Sequence, residues 1–348
     1  MAKKKIAVIT YNVNDGLVHQ RIHLPFRHLK DEYDFVFRSL GDIHHSDLHY
    51  VDAAVLVHPH SSDLLYLASR FRKHYNIPVI VDLDDLLQNI NTDHPEYVYF
   101  QHNKVEQILM QADFAVFSTN YLHRKLGHLL KKEHSCVIEN TISVKAYSQI
   151  QPINKIYKNT FIVGWTGGQT HRGDQYYTFL DGLSQFLRDY PDAKAYFHLL
   201  CPDKLLREFG SQIIFEPNPC DFLDYPAFSA TYPFDVCLVG LTPSEFNEAK
   251  SDLKLLEMAP HKIPIIASPR SDFIQHKERD IMMYAEDGWE GVGRSWYEKL
   301  RWCYNNREKL PEIGQRAYDY VMNERRSEVA AYKWSEVIKG VLEWHQSK

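Results

Sequence analysis

TFIVGW, residues 160–165, decides how the chain divides. It is an apolar run of strand length, and it follows a polar lapse over 141–160 that carries Lys, Gln and a single proline, Pro152. The same kind of run opens the chain as IAVITY (6–11). A pattern that stops and starts again predicts two domains joined by a linker. Outward from the restart, AKAYFHLL (193–200), SQIIFE (211–216), FDVCLVGL (234–241) and IPIIAS (263–268) are strand candidates. Before the lapse, YDFVFRS (33–39), DAAVLVH (52–58), IPVIVDL (77–83), DFAVFST (113–119) and SCVIEN (135–140) are the others. Many are rich in Val, Ile and Phe. Helical stretches separate them at 18–29, 64–74, 96–111 and 120–130, and three more close the chain at 289–305, 308–324 and 326–345. Short strands alternating with amphipathic helices indicate βαβ units and parallel sheets covered on both faces. The expected class is α/β, with two Rossmann-like domains, 1–145 and 160–325, facing a cleft. Ligands of such sheets bind beyond the carboxyl ends of the strands.

Composition narrows the function. The chain has 348 residues, 44% hydrophobic and 24% charged, so wholesale disorder is excluded. No apolar run reaches the roughly 18 residues of a membrane span. The opening MAKKKIAVIT is basic but has no apolar signal core. Cys136, Cys201, Cys220, Cys237 and Cys303 are scattered, with no CxxC pair. That argues against a disulfide framework and fits a reducing cytoplasm. A cytoplasmic location is therefore expected, with peripheral contact at the inner membrane face as a possibility. The formal charge of −5 gives no general pull toward nucleic acid. The unusual count is 19 His, a candidate signal for metal or acid–base chemistry.

The most informative chemistry lies in FNEAKSDLKLLEMAPHKIPIIAS, 246–268. The spacing predicts a helix over 248–259, ended near Pro260, before a buried strand. Lys250, Lys254 and Glu257 are four and three residues apart and share one face. Ser251 lies beside Lys250 in the first turns. A helix start with two lysines suits a diphosphate, and Glu257 suits a ribose diol. The plain alternative is an exposed face with a Lys–Glu ion pair.

This segment resembles the donor-binding helix of GT-B glycosyltransferases of the family 4 type, in a subgroup with an FN-x-x-KS-x-L-K-x-x-E pattern and a following I-P-x-x-A-S strand. VIVDLDDLL (79–87), FSTNYL (117–122), IENTIS (138–143) and GWTGGQTHRGD (164–174) resemble further family segments in the same order. The resemblance implies the GT-B fold, with a last helix, 326–348, crossing back to the first domain. It implies that Lys250 and Ser251 hold a donor diphosphate and Glu257 the donor ribose. It also implies that His171 and Arg172 face the donor phosphates. One position departs: Ala249 stands where many members carry Glu, and Glu248 points about 100° away from it. Retaining and inverting outcomes both stay open.

Three other segments are candidates. In GWTGGQTHRGD, Gly164, Gly167, Gly168 and Gly173 read as a strand–helix loop whose backbone approaches phosphate closely, and Arg172 as a stabiliser of the leaving diphosphate. In DLDD, Asp82, Asp84 and Asp85 admit a divalent metal, a phosphatase nucleophile at Asp82, or strand-end capping. A structural or acceptor-side role for the motif, Asp84 included, is favoured. The first loop, TYNVNDGLVHQRIHLP (10–25), offers Gly16 for close approach and Asp15, His19 and Arg21 on the acceptor side. Asp15 or His19 would be the base of an inverting enzyme. His58, in VHPHSSDL, is a further acceptor-side candidate; with His60 it forms an HxH pair that lacks a third ligand.

The expected function is transfer of a sugar from a nucleotide-diphosphate donor to an acceptor hydroxyl, without a cofactor or required divalent metal. The acceptor is a glycan, a lipid-linked glycan or a modified DNA base. A sugar-nucleotide epimerase on the same fold and a phosphatase using Asp82 are the competing readings.

Overall fold

The computed structural model describes residues 2–43, 50–90, 97–100, 102–150, 159–168, 172–286 and 292–348. These residues form two six-stranded parallel sheets. The first contains β1 (Lys4–Thr10), β2 (Tyr33–Ser39), β3 (Ala53–Val57), β4 (Val79–Leu83), β5 (Phe114–Phe117) and β6 (Ser135–Val137), in the order 2-1-3-4-5-6. The second contains β7 (Ile162–Thr166), β8 (Lys194–His198), β9 (Ile213–Glu216), β10 (Val236–Val239), β11 (Ile265–Ala267) and β12 (Met283–Tyr284), in the order 9-8-7-10-11-12. That is the doubly wound dinucleotide order, with its switch point between β7 and β10. All eleven predicted strands are present; the two-residue β12 was not predicted.

The strands read as continuous apolar runs because both faces are covered. Ala7 and Ile9 of β1 join one core cluster, while Ile6 and Val8 join the cluster on the opposite face. The helix Ser62–His74 buries Leu64, Leu67, Ala68 and Phe71, one stripe at helical spacing, and the Ser61 side chain caps it by accepting from the Leu64 N–H. The last helix, Ser327–Gln346, packs on the first domain. Its Ala330, Trp334, Ile338 and Val341 lie in the cluster that holds Ile6, Val8 and Phe26. Trp334 meets Phe26 edge-on at 5.1 Å between ring centroids.

The chain passes between the domains twice at one place. Ile142, on the way out, forms a parallel bridge with Arg326, on the way back. Beside it the buried Arg325 guanidinium donates to Asp252 at 2.6 and 2.8 Å and to the Asn140 carbonyl at 2.9 and 3.1 Å. His276 Nε2 lies 2.7 Å from the same Asp252 carboxylate. Burial alone would raise the Asp252 carboxyl. Arg325, and then the hydrogen bond from His276, hold it well below the usual range instead.

Several local expectations are corrected. The predicted helix 248–259 is two short helices, Glu245–Glu248 and Leu253–Met258. Asp252 turns inward to Arg325 and breaks the run between them. The predicted helix 96–111 is likewise Tyr97–Phe100 and Val105–Leu109. Gly164 is not in a loop: it lies within β7, where a Cβ would meet the Phe234 ring at 2.2 Å. Gly173 lies in the helix Arg172–Tyr177.

Candidate functional site

The carboxyl ends of both sheets face one cleft of about 730 Å³. From the first domain it is lined by Gly16, His19 and Asp84. From the second it is lined by Gly167, Gly168, Lys254 and Glu257. A smaller pocket of about 200 Å³ opens beside it at the β7–β10 switch point, between Thr166 and Gly240. Lys250, Ser251 and Lys254 line this pocket from one side, and Asp84 and Asp85 from the other.

The break in the 245–258 stretch positions these groups. Its first half docks on the first domain. Thr119 Oγ1 donates to the Ala249 carbonyl at 3.2 Å, and Ala249 is buried in that domain's core cluster. Its second half runs along the cleft. Lys250 Nζ pairs with Asp85 Oδ1 at 3.3 Å and sits 4.3 Å over the Phe246 ring. Asn140 Nδ2 lies within hydrogen-bond reach of both Ser251 Oγ, at 2.8 Å, and Asp84 Oδ1, at 3.2 Å. Glu257 Oε2 accepts from Lys254 Nζ at 2.5 Å and from the Tyr225 hydroxyl at 2.8 Å. Burial, and then the neighbouring Glu257 charge, raise Tyr225 well above its ordinary pKa, so its hydroxyl stays a donor. Glu248 is held by Arg270 Nη1 at 3.0 Å and by the Ser271 N–H at 3.3 Å.

On the first domain, His19 faces Phe222 across the cleft at 5.0 Å between ring centroids. Burial lowers its pKa, and His23 and Arg27 add to the effect, so the neutral imidazole is favoured. Asp15 is exposed and caps the turn that follows, its Oδ1 accepting from the Leu17 N–H at 2.7 Å; it does not line the cleft.

Arg21 is corrected as an acceptor-side residue. It is buried and paired with the buried Asp82, with Nη2–Oδ1 at 2.5 Å and Nε–Oδ2 at 3.2 Å. Its other nitrogen donates to the Ile138 carbonyl and to Asn140 Oδ1. A pair so enclosed cannot reach a substrate, and the same burial disqualifies Asp82 as a nucleophile. His58 is also absent from the cleft lining; its backbone N–H donates to the Asp82 carbonyl at 2.7 Å. His171 lies outside the described residues, as does the side chain of Arg172. Sequence reading missed Asn140, Phe222, Tyr225 and His198. His198 ends β8 and lines the cleft, with Nε2 2.9 Å from the Asn218 carbonyl and Nδ1 2.8 Å from the Tyr232 hydroxyl. Among the described residues no group of three or more His, Cys, Asp or Glu is placed to hold a metal ion.

No protein-family model and no curated protein sequence matches the chain. Solved structures do. Anabaena HepE, crystallised with UDP and glucose, superposes with a TM-score of 0.70 at 13% identity, covering 97% of this chain and 100% of that one. Sucrose-phosphate synthase from Thermosynechococcus elongatus gives 0.69 at 11% identity, over 98% and 100%. The chain has the GT-B fold. A putative UDP-N-acetylglucosamine 2-epimerase from Listeria monocytogenes shares this GT-B architecture, with a TM-score of 0.63 at 11% identity over 98% and 97% of the two chains. In GT-B terms, the pocket beside Lys250 lies at the switch point of the second Rossmann-like domain. Gly16 and His19, from the first, line the larger cleft beside it.

Proposed function

We propose that the protein is a glycosyltransferase that moves a sugar from a nucleotide-diphosphate donor to an acceptor hydroxyl. The observation that carries this reading is the convergence of Lys250, Lys254 and Ser251 on a pocket at the β7–β10 switch point, with Glu257 beside it in the same cleft. Two ammonium groups in a partly shielded cleft suit the charge that builds on a departing diphosphate. Metal-independent loss of the nucleoside diphosphate rests on these cations. Glu257, oriented by Tyr225 and Lys254, would accept hydrogen bonds from the ribose diol. His19 is the better placed of the two base candidates, because it lines the cleft and favours its neutral form, whereas Asp15 is spent on a cap. The acceptor would enter over Gly16 and His19. Its wall there includes Leu17, Leu24 and Ile142, which suits a lipid-linked or partly apolar glycan in surface glycoconjugate synthesis. The expected setting is the cytoplasm or the inner membrane face.

Lys250→Ala and Glu257→Ala should each lower turnover of the best nucleotide sugar by about 100-fold or more. Near-wild-type rates in both would end the site assignment. The epimerase reading is favoured by one GT-B relative and predicts a product without an acceptor. NMR of protein incubated with donor alone separates the two: an epimerised sugar supports the second reading, and an unchanged donor supports the first.

A further inference from the structure

The bridge between Lys250 and Asp85 crosses the cleft, and it occupies the cation that a diphosphate needs. Both side chains are largely shielded, at 20% and 26% exposure, so the pair is more than a solvated surface contact. Asp84 and Asp85 are also the acidic residues among those lining the smaller pocket. Among the described residues the second domain supplies none of its own there. Ala249 has no carboxylate, and Glu248 is tied to Arg270 and the Ser271 N–H. A sugar carries several hydroxyl donors, and a carboxylate is the strongest acceptor a protein can offer them.

We propose that Asp85 is a donor-gated specificity residue: it holds Lys250 while the cleft is empty, yields it to an incoming diphosphate, and then accepts hydrogen bonds from hydroxyls of the sugar to be transferred. A diphosphate outcompetes one carboxylate for the ammonium because it brings more charge on more oxygens. The exchange releases Asp85 from Lys250 at the wall of the same pocket. Because Asp85 belongs to the first domain and Lys250 to the second, sugar recognition then spans the cleft. This proposal rests on the nucleotide-sugar reading above.

Calorimetry tests it with UDP and UDP-glucose, GDP and GDP-mannose, and TDP and TDP-glucose. The pair that wild-type protein binds best is carried forward to Asp85→Ala and Asp84→Ala. Asp85→Ala should tighten the nucleoside diphosphate by about two- to fivefold, the worth of a freed partly exposed ion pair. It should also erase about tenfold or more of the extra affinity that the sugar confers. Asp84→Ala removes the same charge without releasing Lys250, so it should tighten the diphosphate less. Effects of opposite sign on the two ligands are what a merely structural Asp85 cannot give. Equal weakening of both ligands by Asp85→Ala, no change in either, or identical behaviour of the two variants would overturn the proposal alone. Absence of binding to wild-type protein in all three pairs would overturn the donor reading and this proposal with it.

Discussion

At the scale of single residues, the buried Arg21–Asp82 pair shows why charge in a loop-like sequence does not imply a site. Taking two ions out of water is costly, and their mutual attraction repays it only while both are present. Arg21→Ala should therefore destabilise the protein by about 3–5 kcal/mol, measured by urea denaturation. Arg21→Met combined with Asp82→Leu should cost much less, because no charge is left stranded. Asp272 gives a pH prediction. Burial, reinforced by the charges of Asp252 and Glu139 and opposed by Arg325, pushes its carboxyl up to about 8. The folded state thus keeps a proton that the unfolded chain releases near pH 4. Its contribution to stability is fully present below that value and is lost as pH rises toward 8. Asp272→Asn should remove this loss, gaining more than about 1.4 kcal/mol at pH 8 relative to its effect at pH 4. An equal effect at both pH values would contradict the assignment. Neither role was legible in the sequence, because each depends on what lies across a fold rather than along the chain. Lys250 and Glu257 stand out in the sequence through their four- and three-residue spacings about Lys254, although the single helix those spacings imply is broken at Asp252.

At the scale of elements, strand positions were readable because both sheet faces are buried, so the strands stand out as apolar runs. The two-residue β12 is too short to leave such a mark. The helix over 248–259 was misread because the residues that favour helix continue through Asp252, while the competing partners, Arg325 and His276, come from far along the chain. Tertiary contacts outweighed local propensity. That break also lets Ala249 dock on the first domain while Lys254 faces the cleft. In the final helix Trp334, Val337 and Val341 lie on the buried stripe, whereas Trp344, at the same helical spacing, lies outside that cluster and is half-buried. Trp334→Ala should cost about 3–5 kcal/mol in chemical denaturation. A chain ending before Trp334 should lose both thermal stability and activity; a stable, active truncated protein would contradict the packing described.

At the scale of the whole molecule, a polar knot joins the two domains. Asp252 binds Arg325 and His276, and Arg325 binds the Asn140 carbonyl. Arg325→Leu should uncouple the halves, replacing one calorimetric transition by two and lowering the first. A single transition shifted as a whole would place the coupling elsewhere. The Ile142–Arg326 bridge carries a topological consequence. Everything from 143 to 325 leaves and rejoins the first domain through adjacent backbone positions, so the second domain is an insertion whose ends nearly touch. Such a cassette can be exchanged for another of its kind by matching a single junction. It offers a simple route by which descendants of one scaffold could acquire a different donor while keeping the same acceptor half.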